Sequence, residues 1–541
     1  MSAEWDAFVD EFVDGYFEAR PHQAVAEGLH EHDGRLPDWS RSGLKAERER
    51  LREARRNARS VAPEGLDDRR RFERSYLIAE ADRELFWLEK ARWPDRNPIH
   101  YVPGLNPQVY VLRPYAPAAE RMRAFTRYAE AVPAAVSQIR ENLTPPLPET
   151  YLELGRTAFG GLAEYYRGDI RIAFDDVEDS ALRRDFATAL EGAAAAMEEL
   201  VEWLDGQPDG GGEYALGEDR LEEMLWATER VDASVDRLWQ VAREDLERNR
   251  AALEEACARM GCEDGVEEGV RRMRSQKPRG SPVEEARDQV EWLKRFVRER
   301  DLVSIPEGGK ARVDVSPPYM RWNLAQIDIP GVHDGDMPAT YFITPPEGTW
   351  SEAEREAYLP SRHELLYISL HEVWPGHFLH FLHAHRCPVR LGRHFVGYGF
   401  AEGWAHYSEE LCWEAGLGDG RPETEVGMLV SALQRNVRFL AALGLHTGRM
   451  GVEEAERLFR EEAHQSESSA RQQAARGTFD PGYLNYTMGK LMIRKLRRDW
   501  EAAASTSGEW RDFHDRLLSL GGPPVPLARR EMLGETSGPL L

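Results

Sequence analysis

Apolar residues recur along most of this chain at steps of three and four, the spacing that lines one face of an α-helix. Trp5, Phe8, Phe12 and Tyr16 form such a stripe in the opening segment. The same spacing predicts helices around residues 43–60, 66–92, 117–142, 148–166 and 179–205, and helical stretches through 217–262 and 283–299. The Pro-rich patches Pro94–Pro107 and Pro145–Pro148 read as loops, because proline cannot extend a helix or sit inside a sheet. The stretch 206–212, Gly-Gln-Pro-Asp-Gly-Gly-Gly, is the clearest break. Between about 300 and 348 the period changes to alternation, in the segments 311–316, 325–329 and 339–344, which predicts a few short strands. Helical spacing returns after Pro345 and runs to a Gly/Pro-rich tail at 520–526. The expected architecture is mainly α. It comprises an N-terminal helical part (1–205), central helices (213–300), short strands (301–348), and a last helical part (349–541) that carries the chemistry.

Composition narrows the partners. Of 541 residues, 41% are hydrophobic and 30% charged, enough apolar side chain for a large core. Lys and Arg number 70 against 95 Asp and Glu, a net charge of −25. So acidic a chain repels phosphate backbones and anionic lipid, which argues against nucleic acid and membrane surfaces as partners. The four cysteines, Cys257, Cys262, Cys387 and Cys412, are too few and scattered for a disulfide framework or a closed zinc cage. The N-terminus is acidic and amphipathic, unlike a signal peptide, and no apolar run is long enough to span a bilayer. These features lead to the expectation of a cytoplasmic protein.

Residues 371–377 read His-Glu-Val-Trp-Pro-Gly-His. Two histidines with an adjacent glutamate are the ingredients of a zinc hydrolase: neutral imidazole ligands, and a carboxylate beside an activated water. The usual spacing is four; here it is six, which on a straight helix turns His371 and His377 roughly 120° apart. Pro375 removes the amide that would bond the His371 carbonyl, and Gly376 reaches backbone angles closed to other residues. A distorted helix at Trp374–Gly376 is therefore predicted, and the metal reading requires it. A plainer account makes both histidines ordinary polar residues beside a Pro-Gly helix stop. His380, His383 and His385 follow closely and offer a different ligand set, although His371 and His380 fall on opposite faces of a regular helix.

A third ligand comes from the segment after residue 398. Glu402, His406 and Glu409 stand at i, i+4 and i+7, so they share one helix face. Phe400, Trp404 and Tyr407 among them argue for burial, and a buried face of this kind needs a metal or cations. Glu402 is the expected third ligand, His406 the reserve, and Glu409 an acceptor that orients a histidine N–H. Further on, Tyr486, Lys490 and Arg497 fall near one helical line. Tyr486 is the candidate oxyanion donor, with Tyr483 as alternative, and Arg497 a candidate for a substrate carboxylate. The competing account is a basic helix face turned to solvent.

Three matches together resemble a known family, domain of unknown function 885: His371-Glu372-x-x-Pro375-Gly376-His377; Glu402-Gly403-Trp404-Ala405-x-Tyr407-x-Glu409; and Tyr486-x-x-Gly489-Lys490-Leu491 running to Leu496-Arg497. Residues 21–38 also resemble the family's opening. The family is similar to helical zinc metallopeptidases such as thermostable carboxypeptidase Taq, thimet oligopeptidase and angiotensin-converting enzyme. The resemblance implies a bilobal helical fold with a small β element before the metal-binding helix. It also implies a metal site in a cleft, held by His371, His377 and Glu402, with Glu372 as catalytic carboxylate. Phe378, His380 and His406 depart from the family's usual residues. The implied protein is a zinc-dependent hydrolase, with manganese or cobalt as other possible ions, that cleaves a peptide or related amide in a short substrate. Two rivals are a metal hydrolase of a non-peptide amide or ester and a non-catalytic helical scaffold; Glu372, which a structural site would not need, argues against the scaffold.

Overall fold

Side-chain caps fix where several of the helices begin, and buried stripes fix which face they turn inward. In the computed structural model, which describes residues 2–208, 211–317, 324–346, 349–503, 509–534 and 538–541, Trp5, Phe12 and Tyr16 of the helix Ser2–Ala19 are all turned inward. The indole of Trp5 donates to the buried carboxylate of Glu73 at 2.9 Å. Ser40, Asp67 and Asp179 each accept an amide at the start of the next helix, so that Arg41–Ser60, Asp68–Leu85 and Ser180–Asp205 begin where a side-chain oxygen satisfies a free N–H. Asp209 and Gly210 of the expected break lie outside the described residues.

The chain divides into two compact units, Met1–Tyr214 with Pro330–Gly335, and Ala215–Ile329 with Asp336–Leu541. In the first, the helices Ala118–Asn142 and Glu149–Arg167 both pack on Ser180–Asp205. The excursion Pro330–Gly335 belongs to this unit because His333 bonds the Glu27 carbonyl and Asp334 pairs with Arg113, each at 2.9 Å. The proline patch expected as loop is instead a string of single turns, Trp93–Arg96, Pro98–Tyr101 and Pro103–Leu105. A proline at the first position of a turn loses no bond that the turn needs.

In the second unit, the stretch 217–262 is broken into Glu218–Glu229 and Val235–Arg259. Arg230 takes a left-handed conformation and Ser234 caps the new start, which ends one helix and begins another. Among the described residues there is one sheet of three strands, β1 (Ala311–Val315), β2 (Ala325–Asp328) and β3 (Ala339–Ile343). The order is β1-β3-β2, with β1 parallel and β2 antiparallel to β3. The fold is thus mainly α with a small β element. Two helix pairs organise this unit: Val235–Arg259 on Pro422–Thr447, and Tyr398–Glu414 on Asn485–Ala503.

Candidate metal centre

The helix Arg362–Glu372 starts at a capping box, in which Ser361 accepts from the Glu364 amide and the Glu364 carboxylate accepts from the Ser361 amide. It stops at Glu372, and a new helix, His377–Ala384, begins at the second histidine. The helical ladder is thus interrupted in the segment where the sequence calls for it. Gly376 packs so tightly on the preceding turn that a Cβ there would lie 1.8 Å from the His371 carbonyl oxygen. Trp404, fully buried, holds the turn from the other side by donating its indole N–H to the Pro375 carbonyl at 2.8 Å.

Trp404 belongs to the helix Tyr398–Glu414, which also supplies Glu402 and Glu409. This helix crosses Asn485–Ala503 with backbone nearly touching backbone. A Cβ on Gly403 would come within 2.6 Å of Gly489, and one on Gly489 within 2.0 Å of the Gly399 carbonyl oxygen. The glycines of the Glu-Gly-Trp-Ala and Tyr-x-x-Gly-Lys strings therefore let the Glu402 and Tyr486 helices approach each other.

His371, His377 and Glu402 come together, their ligand atoms all within 4.8 Å of one another, and no second such trio occurs among the described residues. Glu402 Oε2 lies 3.2 Å from His371 Nε2 and 3.4 Å from His377 Nε2. Zinc–ligand bonds of about 2.0–2.1 Å place neighbouring atoms of a tetrahedral site about 3.3–3.4 Å apart. The donor set therefore fits a small divalent cation. Two imidazole lone pairs facing one carboxylate oxygen repel unless a proton or a cation lies between them. Burial works against a charged His371, but bonds to Glu402 and Glu409 outweigh it and raise this residue to about 9. Burial likewise works against an ionised Glu402, yet His377 and His371 hold its carboxyl well below the usual range.

Glu409 is buried on the far side of His371 and accepts from its Nδ1–H at 2.9 Å, which leaves Nε2 free to face Glu402. Arg435, from the helix Pro422–Thr447, grips both Glu409 oxygens, at 3.0 and 2.9 Å. His406 does not join the cluster; its Nδ1 lies 3.3 Å from Glu409 Oε2, and its buried Nε2 has no partner among the described residues. Glu372 closes the first helix beside His371, and burial raises its carboxyl while His377 and His371 pull the other way.

The Tyr486 ring stacks on His371 with centroids 6.3 Å apart. Burial, then the Glu402 charge, raises its phenol, which keeps it a proton donor at neutral pH. The Tyr483 hydroxyl instead points against Gly477. Arg497 is not brought to the site: it donates to the Tyr407 hydroxyl and to Glu414, each at 2.9 Å. Lys490 is fully buried against Asp245 at 2.9 Å, so the basic helix does not simply face solvent. His380 and His383 are spent on backbone carbonyls, those of Gly521 at 2.9 Å and Ser304 at 2.8 Å. Sequence reasoning missed Arg435 and its neighbour Arg438; the available signal was two arginines inside an otherwise apolar helix.

Fold and site define a mainly helical protein with a partly buried cluster of two histidines and one carboxylate. The chain belongs to the family described as bacterial protein of unknown function (DUF885), which matches residues 21–532. A candidate lipoprotein of unknown function from Shewanella oneidensis has the same fold, with TM-score 0.80 and 21% identity over 98% of this chain and 99% of that one. A candidate lipoprotein from Colwellia psychrerythraea is similar at TM-score 0.79 and 17% identity, over 98% of each chain. Trypanosoma cruzi metallocarboxypeptidase 1 overlaps over 91% of this chain and 85% of its own, but at TM-score 0.35 and 12% identity the overlap bears on neither fold nor reaction. No curated protein matches. Among the described residues no helix is long and apolar enough to cross a membrane.

Proposed function

We propose that this protein is a metal-dependent hydrolase, zinc being the expected ion, that cleaves a peptide or related amide bond in a short substrate. The observation that carries the reading is the convergence of His371 Nε2, His377 Nε2 and Glu402 Oε2, with the Glu372 carboxylate near enough to interact electrostatically with all three. These three atoms would hold the ion, which when bound supplies Lewis acidity and lowers the pKa of water to about 7. Glu372 accepts a proton from the attacking water and passes it to the departing amine. Glu409 keeps His371 in the Nδ1–H tautomer, and Arg435 keeps Glu409 ionised and in place. The Tyr486 phenol donates to the oxyanion that develops on the substrate carbonyl. A cytoplasmic location belongs to the same reading and rests on the four free cysteines; the two candidate lipoproteins with this fold favour another compartment, and cell fractionation decides.

Two variants test the reaction on a panel of dipeptides and blocked peptides. Glu372→Gln is expected to keep its metal and lose turnover by about 10²–10⁴-fold, the share typical of a general base. His377→Ala is expected to lose both metal and turnover. Unchanged turnover in Glu372→Gln would overturn the reading.

A further inference from the structure

Three guanidinium groups converge on the ring of Tyr486, with carbon-to-centroid distances of 4.8 Å for Arg438, 5.8 Å for Arg435 and 6.0 Å for Arg476. Two of them are matched. Arg435 is gripped by Glu409, and Arg476 pairs with Asp480 at 2.9 Å. Arg438 is not. It is only 8% exposed, its Nε donates to the neutral Gln473 side chain at 2.9 Å, and among the described residues no carboxylate pairs with it. Burial, and then the neighbouring Arg476, push its guanidinium below the ordinary arginine value. A nearly buried cation without a counter-charge is costly and rare in proteins, all the more in a chain of net charge −25.

We infer that Arg438 receives a carboxylate of the substrate, so that the substrate class is short peptides or acylamino acids with a free C-terminal carboxylate. This deepens the hydrolase reading above and rests on it. The position agrees with the size of such a substrate. The Arg438 guanidinium lies 4.8 Å from the Tyr486 centroid, which is 6.3 Å from that of His371. Arg438 and the His371 ring are therefore no more than about 11 Å apart, and an extended residue spans about 3.3–3.6 Å. After an ion pair at one end and a carbonyl at the other, that upper bound leaves room for about one residue beyond the scissile bond. Arginine suits the task because its planar fork meets a carboxylate through two parallel bonds.

The test compares N-acetyl-Ala-Ala with its C-terminal amide, as substrates of the zinc-loaded protein. The free acid is expected to be preferred in kcat/KM by about 30-fold or more, the usual effect of leaving one member of a buried charge pair unpaired. In Arg438→Gln that ratio should collapse toward one. The melting temperature should hold or rise, because a cation with no protein counter-charge is being removed, whereas a structural arginine would lower it. Calorimetry on the Glu372→Gln protein, which keeps its metal but not turnover, with N-acetyl-leucine and N-acetyl-leucinamide reads the same recognition apart from catalysis. If neither peptide is cleaved but the acid alone binds, and only when Arg438 is present, the hydrolase reading falls and the carboxylate site stands. If acid and amide are bound and cleaved equally well, the hydrolase reading stands and the assignment of Arg438 is overturned.

Discussion

Replacing Gly376 by alanine probes the turn on which the metal reading depends. The added Cβ would lie 1.8 Å from the His371 carbonyl oxygen and 2.4 Å from its carbon, whereas ordinary contact begins at 3.4 Å. The shortfall, about 1.6 Å, is against backbone, so no rotamer change relieves it. The turn must move, and it carries a histidine at each end. Metal sites hold their ligands within about 0.2 Å of the ideal distance, so a shift of this size takes His377 out of reach of an ion shared with His371. Gly376→Ala should therefore lose bound zinc on dialysis while far-UV circular dichroism still reports a helical protein. The assay is the zinc-to-protein ratio by elemental analysis, alongside thermal unfolding. Gly192→Ala serves as control. Nothing lies within 4 Å of a Cβ at that helical position, so it should stabilise by roughly 0.5–1 kcal/mol and leave zinc binding alone. A Gly376→Ala protein with wild-type zinc affinity and melting temperature would refute the argument that this close approach sets the two histidines.

Two further outcomes follow from the surroundings of His371. Glu409→Gln keeps the shape but removes the charge that orients His371 and neutralises Arg435; zinc affinity should fall by about 10–100-fold in a chelator competition, and the fold should lose roughly 3–5 kcal/mol in urea unfolding. The raised value of His371, about 9, makes zinc compete with a proton, so affinity should fall about tenfold for each pH unit below that value. In chelator the sign reverses. Protonated His371 stabilises the fold fully below its unfolded value of 6.5, and that contribution is lost as pH rises through about 9, so the melting temperature should decline across this window.

Much of the fold, and the convergence of the trio, could be read because the signals were local. Helical period, proline positions and a short alternating stretch mark the elements, and a six-residue spacing that fails on a straight helix demands a break between His371 and His377. What sequence could not supply was distance between segments. Arg497 shares a helical line with Tyr486, but eleven residues carry it about 16 Å along the axis, where it meets Tyr407 and Glu414 instead. Tyr483 and Tyr486 stayed alternatives because one lies in the turn Pro481–Leu484 and the other in the following helix, and helical phase does not carry across that junction. Glu409 was readable as an acceptor for a histidine, since it shares a face with Glu402.

Arg435 and Arg438 were the harder case. The helix Pro422–Thr447 reads as core, and most of it is buried. An arginine within such a segment costs several kcal/mol unless something compensates it, so each one states that a negative charge lies nearby. For Arg435 that charge is Glu409, itself tied to His371. Arg438 has no such protein partner among the described residues, although it stands in the same helix one turn away. The contrast between these two residues, one neutralised by the carboxylate that also holds His371 and the other without a protein counter-charge, connects the burial pattern of a single helix to the carboxylate site proposed above.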